Sequence, residues 1–584
     1  MKMNNWNLEK IYPGCNSKEF NEDFDKAQAI ISDLLKQELP IDATIQVVSS
    51  FFKRYEEASE IIGNLDEYLG LRLSVNTQDT EAMKAYGRTN NLEVSAAPID
   101  IKFGKYIKAH PNFLDEAQKD PYLSKYPYYL SKQVEAAKRM LSDDTEIMLA
   151  KLEKSSGEAW SQLFDTLTST VQVDYEGKTI TLPEVRNLAY SPLQDVRKKA
   201  YLAEIASYKK IDKSISAALS SIKEEVTTIN EARGYSSPIE KTLVQTGMTK
   251  KTLEALTSTI EEYYPIFRAY LKRKGELLGD KNGCPFYDLF APMGKNDITY
   301  TIPDANEYIV SRFTKFNPEI GNMMKKAMSS DWIDYLPKEG KVGGAFCASV
   351  FKIKESRILT NFDGSFGSIC TLSHELGHAY HNEVMWNLPA LYSIYPMQLA
   401  ETASTFNETF IKSDAIMNAA SDAEKLNILE SSLQDDTQVI VDIMSRYYFE
   451  LSVFEKSKDA ALSSDELCEL MKEAQLRSYG DGLDPSYLHP YMWCCKGHYY
   501  STGLSFYNFP YAFGQLFAYG LYSIYEKEGP SFFTLYKKVL QNAGQMPIKE
   551  CVALAGIDCE SKDFWHKSLD LIKEKIEQFL KITE

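Results

Sequence analysis

Along most of the chain, apolar residues recur at intervals of three and four, the period of a helix with one buried face. Leu130–Leu152, Pro192–Ile229 and Thr249–Leu278 carry this pattern over long charged stretches, and Asp563–Ile582 repeats it further on. Thr249 stands where a helix N-cap belongs. Alternation at period two is rare. It flanks Glu176-Gly177 in VQVDYEGKTITL (Val171–Leu182), which reads as a hairpin. It returns in part, among β-branched and aromatic residues, in GGAFCASVFKIKESRILTNF (Gly343–Phe362), just before Asp363-Gly364. The pattern predicts a mainly α protein with small β elements. Leu182-Pro183 and Ser191-Pro192 mark the best break, giving an N-terminal helical region with the hairpin (1–190) and a second region (191–584). No glycine- or serine-rich linker separates them, so the two are expected to pack closely.

Composition narrows the partners. The 584 residues are 44% hydrophobic and 25% charged, which is ordinary for a globular chain. A net charge of -17 argues against nucleic acid and anionic membrane, both of which select a basic face. The first twenty residues show no apolar signal-peptide core, and no run of about 18 apolar residues suggests a membrane helix. Nine scattered cysteines, with no CxxC pair, read as reduced thiols in a cytoplasmic protein.

The histidines change the picture most. Of seven in the chain, three fall within TLSHELGHAYHNEV (Thr371–Val384). His374 and His378 are spaced i, i+4, so both imidazoles face one side of a helix and can hold one zinc ion. Glu375, beside the first ligand, reaches a water on the metal rather than the metal itself, which suits a general base. Ile369, Leu372, Leu376 and Ala379 supply the apolar stripe of that helix, and Ser368 is placed to cap it. A catalytic zinc takes a third protein ligand. His381 and Val384 stand where a metzincin has glycine and histidine, so that class is excluded. The third ligand is expected from a second helix, QLAETASTFNETFIK (Gln398–Lys412), with Glu401 against the histidine pair and Glu408 two turns on, orienting a ligand or simply solvated. His381, rotated away from the pair, is expected to line the cleft or cap the helix end.

A second dense stretch, His489–Tyr522, is rich in tyrosine. Water addition to a peptide carbonyl creates an oxyanion that a phenol or imidazolium donor stabilises. His498, Tyr500, Tyr507 and Tyr511 are the candidates, against the plainer reading of tyrosines as core and groove lining.

HELGHAYH, ETASTFNE and KGHYYSTGLSFYNFPYAFG together resemble the oligoendopeptidase F branch of the thimet oligopeptidase family of zinc peptidases. WNLEKIYPG and VDYEGKTITLPEV are similar to that branch's N-terminal region, so the resemblance spans nearly the whole chain. It implies a mostly helical fold whose two halves enclose a deep channel, with one zinc inside and short peptides cleaved internally. It implies His374, His378 and Glu401 as zinc ligands, Glu375 as base and His498 as a substrate contact, with Tyr507 and Tyr511 as donors and Tyr500 a weaker match. Two rival readings stay open at this point: a zinc peptidase that trims chain ends, and a peptide-binding protein with a structural zinc.

Overall fold

Helices carry most of the chain, and among the described residues five short strands form two small sheets. The computed structural model describes residues 5–294 and 298–584. Among them, no helix is long and apolar enough to cross a membrane.

The first sheet is the expected hairpin. β1 (Val173–Tyr175) pairs antiparallel with β2 (Lys178–Ile180), and Tyr175 faces Lys178 across the turn. Glu176 and Gly177 both have positive φ, 48° and 77°, as a two-residue turn matched to strand twist requires. The second sheet also lies where the sequence puts it. β4 (Phe346–Val350) runs antiparallel to β5 (Glu355–Leu359), and Lys354 takes a left-handed conformation in the turn. β3 (Ile333–Asp334), too short to be read from a pattern, adds parallel to β5. The order β3-β5-β4 leaves β4 at an edge.

Two of the long helical readings are broken. Leu130–Leu152 is two helices, Pro127–Lys138 and Asp143–Glu153, because the Ser142 hydroxyl caps the second one by accepting from Thr145 N. Pro192–Ile229 is likewise Gln194–Tyr208 and Asp212–Ala232, with Asp212 at the restart accepting a hydrogen bond from Tyr491. Thr249 caps Lys250–Leu278 as expected, its hydroxyl 3.1 Å from Thr252 N, and Lys562–Thr583 forms one helix.

Contacts divide the chain into two compact units, each assembled from separated stretches: 1–140, 297–411 and 524–555 in the first, and 141–296, 412–523 and 556–584 in the second. In the first unit the N-terminal helices build a core that includes Phe20, Phe52, Leu65 and Phe103, together with Ala348 and Val350 of β4 and Leu359 of β5. β4 also packs against the helix that carries the histidine pair. Among the described residues, the second unit contains three ion pairs with almost no exposure, Arg197–Asp288 at 2.7 Å, Lys223–Glu450 at 2.7 Å and Lys274–Glu430 at 2.6 Å.

Candidate active site

The histidine pair sits on a helix spanning Phe366–Met385. Its cap is Ser365, whose hydroxyl accepts from Ser368 N at 3.1 Å; Ser368 instead donates to Asp363 Oδ1 at 2.7 Å. Ile369, Leu372, Leu376 and Ala379 are fully buried, so the expected stripe fixes which face is left for the histidines. His374 and His378 lie next to each other on that face, with ring centroids 5.1 Å apart.

Glu401 does not lie within one helix, as the sequence suggests. It stands at the junction between Met397–Ala400 and Thr402–Met417, and its carbonyl accepts from Thr405 N at the start of the longer helix. A helix N-terminus is a favourable place for a carboxylate. One oxygen of Glu401 lies 3.1 Å from His374 Nε2 and 3.3 Å from His378 Nε2. The three donor atoms fall within 4.8 Å of one another. Behind them Glu408 Oε2 meets His374 Nδ1 at 3.1 Å, and the Ser404 hydroxyl donates to Glu401 Oε2 at 2.8 Å.

The charges respond to this crowding. Burial alone would push His374 down, but its hydrogen bonds to Glu401 and Glu408 prevail and hold it up at about 10. Burial likewise works to raise Glu401, and the two imidazoles outweigh it, keeping the carboxyl well below its ordinary range. The carboxylates therefore make a place where positive charge is stabilised. Glu375 behaves differently: burial pushes its carboxyl up, against the pull of His378 and His374. It is 5% exposed, and its Oε2 has no hydrogen-bond partner.

His374, Glu375 and Glu408 line a cleft of about 490 Å³ whose other wall is Gly344, Ala345 and Thr360–Phe362. Asn361 holds that wall by donating to the carbonyls of Val342 and Gly344 at 3.0 and 2.9 Å. The run entering edge strand β4 is thus fixed beside the histidine helix.

His381 takes no part in this. It is fully buried, stacked on Tyr395 at 4.4 Å, and its Nε2 meets the Leu540 carbonyl at 3.0 Å. Burial pushes it down to about 3, so it is a neutral donor tying the histidine helix to Phe532–Asn542 rather than a cleft or helix-end residue.

In the second unit, His498, Tyr507 and Tyr511 are neighbours. The two tyrosine hydroxyls are 2.8 Å apart, and the His498 and Tyr507 rings are 5.7 Å apart. Arg446 donates to Asn508 Oδ1 at 3.2 Å, so the Asn508 amide nitrogen, 2.6 Å from His498 Nε2, must be the donor there. Burial, then the charges of Arg446, Lys223 and Lys496, hold His498 down at about 3. It is therefore a neutral imidazole with its proton on Nδ1. The turn that presents Tyr507 has Phe506 at φ 55°, a conformation costing a bulky residue roughly 1–3 kcal/mol. The Phe506 N–H is anchored on Glu450, the buried partner of Lys223. Tyr500 stands apart from this group. Fully buried, it stacks on Phe164 at 3.8 Å and donates its hydroxyl to the Trp493 carbonyl.

A model of peptidase family M3 matches residues 187–571, and one of oligopeptidase F matches residues 107–172. The chain belongs to peptidase family M3. It is a peptide hydrolase. This peptidase is 23% identical to oligopeptidase PepF of Bacillus subtilis, over 98% of its own length and 86% of the relative's. It is 24% identical to an oligoendopeptidase F homolog of Lactococcus lactis, over 99% and 97%. Crystal structures of a candidate peptidase from Chlamydophila abortus (TM-score 0.87, 19% identity, 99% and 98% covered) and of oligoendopeptidase-F from Enterococcus faecium (0.69, 18%, 97% and 100%) share its fold.

Several residues that shape the peptidase's site escape a motif reading. Asn407 donates to the Ser373 carbonyl at 3.2 Å, cross-linking the two helices. Gly377, between the histidines, lets them approach: a Cβ there would fall 2.4 Å from the Ala403 carbonyl oxygen and 2.6 Å from Ser404 Cα. Both are backbone atoms and cannot swing aside. Gly377→Ala is therefore expected to move Glu401 off the imidazoles, weakening metal binding about 10–100-fold and costing about 1–3 kcal/mol of stability. Chelator competition and thermal unfolding check this, and unchanged values in both would refute the close-approach role.

Proposed function

We propose that the protein is a zinc-dependent endopeptidase acting on internal bonds of short oligopeptides. The observation carrying this is one Glu401 oxygen shared by His374 Nε2 and His378 Nε2, with Glu375, whose Oε2 has no hydrogen-bond partner, lining the same cleft as His374. Two imidazole nitrogens and a carboxylate oxygen suit zinc, and three protein ligands leave a position for water or substrate. When bound, zinc supplies Lewis acidity, polarising a carbonyl and bringing water into a range where it ionises near neutrality.

The chain's own residues do the rest. Glu408, accepting from His374 Nδ1–H, would leave Nε2 as the nitrogen that holds the metal. Glu375 accepts the proton of the attacking water at Oε2 and returns it to the leaving amine. An extended substrate is expected along edge strand β4, where backbone pairing would give affinity independent of sequence. His498, through Nδ1–H, and the Tyr507–Tyr511 pair are the proposed substrate contacts and oxyanion donors. Tyr500, with its hydroxyl already engaged, is assigned to the core. Nine free thiols support a cytoplasmic setting.

Tyr507→Phe is expected to lower kcat by roughly 10² while leaving KM nearly unchanged; a change in KM alone would make Tyr507 groove lining. Internal cleavage is tested with short peptides blocked at both ends. An endopeptidase cuts them, and fragment masses locate the bond. An enzyme that needs a free terminus leaves them intact, which would overturn the proposal.

A further inference from the structure

A second cluster, sharing no residue with the first, brings metal-binding side chains together. We propose that Glu204, His489 and Cys495 form a metal site for a borderline divalent cation of the zinc type. Their donor atoms, an oxygen, a nitrogen and a sulfur, lie within 4.8 Å of one another. His489 Nε2 is 3.6 Å from Glu204 Oε1, and Cys495 Sγ is 3.7 Å from the same oxygen. A histidine–carboxylate hydrogen bond would close to about 2.8 Å. Two ligands held tetrahedrally at about 2.0–2.3 Å from one zinc stand about 3.3–3.8 Å apart. Both distances to Glu204 Oε1 fall in that range, and the Cys495 thiol, which donates to that oxygen, is already turned toward it.

His489 supplies the independent observation. It is 2% exposed, and neither ring nitrogen has a hydrogen-bond partner. Buried polar groups are rarely left this way. The rings of Phe286, Tyr201 and Tyr208, with centroids 5.1, 5.8 and 6.3 Å away, surround the imidazole. They hold its orientation and leave Nε2 for a ligand on the Glu204 side.

The surrounding groups accommodate a dication. A thiolate and a carboxylate neutralise it, with His489 as the neutral third ligand. Tyr208 places its hydroxyl 3.1 Å from Cys495 Sγ and 3.3 Å from Glu204 Oε1, so it can donate to the thiolate once the thiol proton has left. Arg186 Nε lies 3.4 Å from the same Glu204 oxygen, but its side chain is 42% exposed and has solvent to move into. Glu204 belongs to the Gln194–Tyr208 helix, while Cys495 ends a turn three residues before His498. A metal here would staple that helix to the segment leading to His498, acting as a structural site.

Cobalt(II) substitution separates this site from the histidine pair, whose cluster contains no sulfur. The chelated whole protein, dialysed against cobalt, is expected to bind two equivalents and to show a thiolate-to-cobalt charge-transfer band. His378→Ala should lose one equivalent and keep the band. Cys495→Ser should lose one equivalent and the band, with its circular dichroism unchanged. A wild-type protein that binds one equivalent and shows no band would overturn the proposal without recourse to any variant. A band surviving Cys495→Ser would overturn the ligand assignment.

Discussion

Glu375→Gln is expected to leave metal content unchanged and to lower kcat by roughly 10²–10⁴. Glutamine keeps the shape of the side chain and loses only the ability to take a proton. Glu375 is separate from the His374–His378–Glu401 donor set, so the metal has no need of it. Its buried, unbonded Oε2 and its raised carboxyl are the properties of a base waiting for a water. Metal analysis and steady-state rates on one preparation check both halves. Near-wild-type turnover would remove Glu375 from the mechanism.

His378→Ala should fail in a different way. It deletes one of the two nitrogens converging on the Glu401 oxygen, leaving His374 and a carboxylate. Two protein ligands hold zinc poorly. The variant is expected to contain one metal equivalent fewer than wild type and to lose peptide cleavage. Full metal content with full turnover would place the site elsewhere. Together the two variants separate holding the metal from using it.

What the sequence made legible was whatever depends on local spacing. The i, i+4 histidines, the apolar stripe of Ile369, Leu372, Leu376 and Ala379, and the Glu176-Gly177 turn each follow from a short-range rule, and each is seen. Glu401 and Glu408 were readable because a second helix must complete the cluster, although the break at Glu401 was not. The helix cap was ambiguous because Ser365 and Ser368 both satisfy capping rules. The positive φ of Gly364, 87°, and the Asp363 side chain holding Ser365 N decide between them.

The remainder depends on partners far away in the chain. Nothing near His381 announces that Leu540 accepts its proton, and a third histidine beside an HExxH invites the wrong role. Gly377 reads as a weak helix residue until the backbone of Ala403 is set against it. His498 reads as a possible cation until Arg446, through Asn508, fixes its tautomer. Tyr500 matches a tyrosine-rich motif, yet a single carbonyl, that of Trp493, takes its hydroxyl. Side chains of the right type were visible in the sequence, but their orientation was a property of the fold.

Product mapping tests the central claim most directly. The purified protein is given a mixture of short peptides before chelation, after it, and after zinc is restored, and the fragments are weighed. The account predicts internal cuts that stop on chelation and return with zinc. Cuts that persist without metal, or zinc-bound protein that releases no internal fragment, would contradict it.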